Sequence, residues 1–544
     1  MYSYFKGISK IFKMILSFEF FFEIACYSIL GNYIITKKIC NPSTLMISFI
    51  LNSFHSFWKR HPALLYGFSM LIGFSLILTE NVIFSLPALL LLLSGKRALF
   101  AYPLMITSMF FAHHHFIAFK TSHDDLKGTA HFEIRSIATK ATHFGKHVVY
   151  RGVIKSLIPH ATVKNIPVSI SIPLKKEITR PPANKAYLLE GHLKELGDAR
   201  YIFVLEKNKP WEAIENSWSF AEIRFALKKH VMQYIHKKID DSESATFLSG
   251  IATGEFDDQL MLFHFSRFGL QHIMAISGFH FAIIAGFLRL MLQLIFSKKT
   301  ATYLLLLLLT TYFMFLGFGP SVLRAWLMIL IVLIGYLLQK SSIALNSMGV
   351  ALITLLIIDP LMIRHIGFQF SFLTTASILM FYSGSDKLLQ QLFFKRPLKE
   401  TVEMNSLNQH GFIVLTAIRQ SIALCLAVNL TALPLMLYHF EQFPYLSIIY
   451  NFFFPFMVSI SMLLLILGLM IPIFPFIHGL NSAFTQFLLR YTYNMPQTAD
   501  YKLVFQNFAL EPLIIYLCLI FCAGLFFNYY LELKKEERLD FEYL

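Results

Sequence analysis

The chain reads as a polytopic α-helical membrane protein of roughly ten or eleven spans, with a small β-barrel domain inserted among them. Three observations predict this class. First, 56% of the 544 residues are hydrophobic and only 15% are charged, where a soluble domain carries about 25% charged residues. Second, the chain offers many apolar runs close to the ~20 residues that cross a bilayer. Third, the chain turns polar from about residue 120 to 240, and short alternating runs replace the long apolar ones.

The elements follow in order. Residues 1–60 form an N-terminal leader without an assigned role. It looks at first like a signal peptide, but Glu19 and Glu23 interrupt its apolar core and Cys26 lacks a lipobox. Residues 61–119 hold the first spans, near 63–79, 81–95 and 98–118, flanked by Lys59, Arg60, Lys96 and Arg97. Residues 120–216 carry HVVYRGVI, VSISI, AYLLEGHL and RYIFVLEK. Such period-2 runs bounded by Gly, Pro and Asn predict a barrel of the OB type. Residues 217–260 predict an amphipathic helix, near 217–240, and a connector. Residues 261–530 return to the membrane, with spans near 262–296 (two, or one bent), 301–317, 321–338, 343–358, 366–383, 412–437, 445–470 and 511–530. Residues 531–544 are a charged tail.

Net charge is +15, and residues 120–241 supply about half of it. Long domains cross membranes largely regardless of charge, so this one is free to sit outside. A basic external barrel suits an anionic polymer, and an ordinary solvated basic surface is the plain alternative. The five cysteines, Cys26, Cys40, Cys425, Cys518 and Cys522, avoid the polar region and offer neither a disulfide framework nor a zinc ribbon. A phosphate-binding G-x-x-x-x-G-K-[ST] loop, a two-metal histidine motif and a nucleophile elbow are all missing. The reading is therefore a non-enzyme without cofactor or metal. His113, His114 and His115, with His123, Asp124 and Asp125, offer metal-ligand types where a span meets the polar domain, and a juxtamembrane polar turn is the plainer reading.

Four stretches place polar residues inside the apolar region. GLQHIMAISGFHFAIIAGFL (269–288) carries His272, Ser277, Gly278 and His280. On a continuous helix Ser277 and His280 share a face. In LGFGPSVLRAWLM (316–328), Gly317, Gly319 and Pro320 predict a break, Ser321 a cap for the following helix, and Arg324 lies one turn on. An arginine at the centre of a span costs about 2.5–3.5 kcal/mol on insertion scales, so it faces a bundle interior or a wet cavity. A half-helix N-terminus beside a guanidinium suits an anion. DPLMIRHIGFQFSF (359–372) carries Gln369 and Ser371. In NLTALPLMLYHFEQFPYLSIIYNFFFP (429–455), Pro434 predicts a kink, His439, Glu441 and Gln442 a re-entry turn, and Asn451 with Pro455 an interrupted span. The plain alternative for each is a helix–helix contact.

Taken in this order, the stretches FLSGIATGE, GLQHIMAISGFHFAIIAG, GPSVLRAWLM, DPLMIRHIGFQFSFL and YNFFFPF resemble the ComEC-type DNA-uptake channels of bacterial natural competence. The likeness covers about residues 60–530, and its H-x-x-A-I-S-G-x-H core is distinctive. It implies a multi-pass protein of the bacterial cytoplasmic membrane that passes single-stranded DNA during natural transformation. Carried over by motif, the implied pathway residues are His272, Ser277, Gly278, His280, Arg324, Gln369 and Asn451. Tyr150, Tyr187, Tyr201 and Phe203 are candidate stacking aromatics of the barrel. The implied partners are single-stranded DNA, membrane lipid, an external DNA receptor, and a cytoplasmic DNA-translocating ATPase or single-strand-binding protein. A homo-oligomer is also within expectation. Many such proteins add a C-terminal metallo-β-lactamase-like domain, which this sequence lacks. The competing readings are a transporter of a small anionic metabolite or lipid-linked sugar, and a scaffold whose motifs are all helix contacts.

Overall fold

The computed structural model describes residues 42–114, 126–142, 145–160, 164–173, 180–195, 201–206, 209–215, 217–256, 258–274, 276, 278–392, 396, 398–471, 475–493, 502–505 and 508–542. Helices of nine residues or more are numbered α1 to α15.

Part of the predicted leader is an ordered helix, α1 (Pro42–Arg60). It is tied to the bundle by Trp58, which is buried, and by Arg97 Nη1, which donates to the Trp58 carbonyl at 2.8 Å. Next come α2 (Pro62–Thr79) and α3 (Ala98–Ala112), the latter closing a helical run from Val82.

The polar region then forms β1 (Leu126–Thr142), β2 (Gly145–Ile158), β3 (Ile166–Pro173), β4 (Tyr187–Glu195), β5 (Tyr201–Leu205) and a short β6 (Glu212–Ala213). The order β1-β2-β3-β5-β4, with β4 pairing back onto β1, closes a five-stranded barrel of OB type. The β3–β5 pair is parallel and the other barrel pairs are antiparallel. β1 is long enough to serve two neighbours because bulges bend it at His131/Phe132 and Ile134/Ser136. Closure leaves no open edge among these five strands.

The chain re-enters the bundle through α4 (Ala221–Lys238), α5 (Ser242–Thr253) and α6 (Gln259–Arg267). Then follow α7 (Gly278–Ile295), α8 (Lys298–Leu316), α9 (Pro320–Leu337), α10 (Ala344–Ile358), α11 (Ile366–Leu389), α12 (Ser406–Phe440), α13 (Ser447–Met470), α14 (Phe476–Tyr493) and α15 (Leu510–Glu542). Two short strands, β7 (Gln442–Pro444) and β8 (Lys502–Val504), pair antiparallel. Among the described residues, nine helical runs are long and apolar enough to cross a membrane. α10, with 15 residues, is about 22 Å long, short of the ~30 Å hydrocarbon core.

Two local expectations are corrected. Ser321 does not cap α9: Gly319 holds the N-cap position with no side-chain cap, and Pro320 opens the helix. Pro455 does not interrupt its span, for α13 runs on through it, and α12 likewise continues through Pro434 as the single span near 412–437 anticipates. A proline leaves the carbonyl four residues back without its amide partner, and here side chains fill in. Tyr516 Oη donates to the Leu430 carbonyl at 3.0 Å, and Cys425 Sγ approaches the Asn451 carbonyl at 3.8 Å.

Candidate functional site

Barrel and bundle meet at α4. Ser219 Oγ, just before that helix, donates to the Ile134 carbonyl of β1 at 2.7 Å. Arg224 reaches both ways: Nη1 donates to the Arg135 carbonyl of the barrel at 3.2 Å, and Nε donates to the Met314 carbonyl at 2.9 Å. Met314 lies in the last turn of α8, where carbonyls lack helical partners and attract a cation. One turn further along α4, Lys228 Nζ sits 2.9 Å from Glu255 Oε1, with side chains 8% and 15% exposed. Burial pushes the Lys228 pKa down, against the pull of the Glu255 charge.

Below and beside this joint lies a cavity of about 2500 Å³. Barrel residues Arg135, Arg151 and Tyr201 line it, as do Arg224, Lys228 and Glu255 of the joint. The bundle adds Arg364, Gln369 and His439. Burial, and after it the Glu195 charge, pushes the Tyr201 phenol up to about 12, so it stays neutral at physiological pH. Gln369 Oε1 and His439 Nε2 are 2.6 Å apart, and Gln369 Nε2 donates to the Ile363 carbonyl at 2.9 Å. This hydrogen-bonded pair spans α11 and α12 at the cavity wall. Arg364, at the end of the short turn Pro360–Arg364, donates to the Leu78 carbonyl.

Of the sequence-predicted pathway residues that are described, Gln369 alone lines this cavity, and the predicted aromatic Tyr201 joins it from the barrel. Arg324 is buried in the bundle, yet its neighbours Leu323 and Phe372 line the cavity. Gly278, first residue of α7, meets it directly: a Cβ there would lie 2.9 Å from Arg324 Nη2. His280 is buried on the first turn of α7. His272, on the short turn Gln271–Met274, is exposed and its Nδ1 lies 3.1 Å from the Gly269 carbonyl. Asn451 stands apart on α13, half-buried, with Oδ1 unpartnered. Ser277 lies outside the described residues, as do His115, His123, Asp124 and Asp125.

The stacking aromatics need correction. Tyr150, Tyr187 and Phe203 are 0%, 3% and 2% exposed, inside the barrel core. Tyr150 Oη donates to the Pro181 carbonyl at 2.7 Å and Tyr187 Oη to the Pro182 carbonyl at 2.6 Å. Trp211 packs on both rings. These rings fill the inward face because a small barrel needs bulky side chains there, so no base reaches them. Only Tyr201 borders open space. The Lys228–Glu255 pair and the Arg224 bridge have one signal in the sequence, the basic residues Arg224, Lys228 and Lys229 of the predicted amphipathic helix.

A helical bundle interrupted by an OB-like barrel, with a large cavity at the joint that carries several arginines, defines a multi-pass membrane protein. A family model described as "Competence protein" matches residues 255–534, more than half of the chain, and the chain belongs to that family. It is 29% identical over 229 residues to "ComE operon protein 3" of Bacillus subtilis (strain 168), across 42% of this chain. The match spans 26% of that relative's length. No solved structure matches the chain.

Proposed function

We propose that this protein passes single-stranded DNA through the cytoplasmic membrane during natural transformation. The observation that carries this reading is the cavity at the joint. At about 2500 Å³ it is well above the roughly 300–1,000 Å³ of a small-ligand pocket. That size favours a polymer over the small anionic metabolite or lipid-linked sugar of the competing reading. Arg135, Arg151, Arg224 and Arg364 on its wall suit a phosphate backbone. Family membership supports the same conclusion. Phosphates moving inward oppose an inside-negative potential by about 2.3 kcal/mol per charge per 100 mV. A cytoplasmic ATPase or single-strand-binding protein must therefore draw the strand in, after an external receptor delivers the DNA.

The test is uptake of fluorescent DNA in cells with and without the gene, beside a strain carrying Arg151→Gln and Arg364→Gln. The expected result is that DNA enters the cytoplasm only with the intact gene, and that the substituted strain falls behind at equal protein level. Unchanged cytoplasmic entry after deletion overturns the reading.

A further inference from the structure

The buried end of Arg324 has no counterpart among the described residues. Arg324 is 7% exposed, on the second turn of α9. Its Nε is buried without a hydrogen-bond partner. Its Cζ lies 6.0 Å from the centroid of the Phe372 ring. Among the described residues it makes no ion pair. Burying a cation without a counter-charge is among the costliest arrangements in a fold, so the position calls for an explanation.

Gly278 supplies one. Arg324 Nη2 packs so closely on it that a Cβ would stand 2.9 Å away. Gly278 begins α7, a helix of 18 residues. The first amides of a helix lack internal partners and carry the positive end of its dipole. Two positive features therefore meet, the guanidinium of one helix and the N-terminus of another. A close approach of this sort is unfavourable unless an anion joins them.

We propose that Arg324 and the N-terminus of α7 form a binding site for one tetrahedral oxyanion, a phosphate group. The guanidinium presents a planar fork that matches phosphate oxygens, and helix N-termini receive the same group through free amides. Phe372 occupies the neighbourhood of one guanidinium face, and the absent side chain at Gly278 lets Nη2 come up against the first residue of α7. Leu323 and Phe372 line the large cavity, which places the site next to it. The phosphate comes from a phosphodiester of a passing strand or from the free ion. The first source rests on the transport reading, while the site itself does not.

The full-length protein in detergent tests this. Inorganic phosphate is titrated at constant ionic strength, with chloride as control, while the unfolding temperature and the binding isotherm are followed. Wild type should bind saturably and unfold at higher temperature with phosphate. Arg324→Gln should bind about tenfold to a hundredfold more weakly. It should also be at least as stable as wild type without phosphate, since it removes an uncompensated buried charge. Gly278→Ala keeps the charge but displaces the guanidinium, so it should weaken binding while remaining folded. That variant carries the test if Arg324→Gln does not fold. An equal phosphate response in wild type and both variants, or none in wild type, overturns the proposal. Competition by short oligothymidylate identifies the strand as the source. Phosphate binding without that competition supports a free-ion site and leaves the uptake experiment to judge transport separately.

Discussion

The barrel and the bundle satisfy their polar groups in opposite ways. In the barrel, the backbone is paired strand to strand around a closed ring. Side chains there are released to pack, and among the described barrel residues only Asn184 Oδ1 is buried without a partner. In the bundle, helices pair their own amides but prolines leave gaps, and side chains from distant helices close them. What remains unpartnered in the bundle is a short set that includes Arg324 Nε, Ser371 Oγ and Asn451 Oδ1. A polar group in hydrocarbon is expensive, so these leftovers are where function is to be sought. The barrel's core residues are structural by the same logic.

The sharpest way to break the barrel side of this contrast is Gly152→Ala. Gly152 faces Ile134 across the β1–β2 pair, beside the bulge. A Cβ there would fall 2.0 Å from the Glu133 carbonyl oxygen and 2.7 Å from the Phe132 ring. Neither neighbour is free to yield, since one is backbone and the other is a fully buried ring. The expected cost exceeds about 3 kcal/mol, the upper end of overpacking. Limited proteolysis should then cut within 126–205 at native temperature while the bundle stays resistant. Unchanged resistance would mean that the strands do not approach as described.

The joint between the regions gives the next effect. Lys228→Met leaves Glu255 partly buried and unpaired, at an expected cost of about 3 kcal/mol, and Glu255→Gln added to it should recover much of the loss. The pH dependence has a definite sign. Burial lowers the Lys228 pKa below the ordinary lysine value of about 10.4, so the unfolded chain holds that proton more tightly. Wild-type stability should therefore rise relative to Lys228→Met as pH climbs from the lowered value towards 10.4. Chemical denaturation across that interval checks it; a falling difference would show that the Glu255 charge outweighs burial at Lys228, and a flat one that the two cancel.

Much of this was legible in the sequence, for reasons that differ by region. The OB-type barrel shows in period-2 runs because one face of each strand is buried. The same alternation already placed Tyr150 with Val148 and Ile154 on the inward face, which argues against a stacking role. The break at Gly317, Gly319 and Pro320 is local chemistry, and it appears between α8 and α9. The spans near 412–437 and 445–470 anticipate helices that continue through Pro434 and Pro455, but not the groups that replace the lost amides. Those groups lie 86 and 26 residues away. Lys228 and Glu255 likewise stand 27 residues apart, and nothing local announces such a pair. Arg324 was legible as a buried cation, but its meeting with Gly278 joins two helices that only the fold brings together.

The smallest effect tests the bundle side of the contrast most directly. Tyr516→Phe removes the hydroxyl that donates to the Leu430 carbonyl, the one orphaned by Pro434. A buried carbonyl left without a partner costs about 1–3 kcal/mol, and the lower end applies because this contact is only part-buried. Pro434→Ala restores an amide to that carbonyl. In the Pro434→Ala background, Tyr516→Phe should therefore cost close to nothing. The double-mutant cycle should show a coupling of about 1 kcal/mol, read from thermal unfolding in detergent. Equal costs in both backgrounds would show that Tyr516 does not stand in for the missing amide.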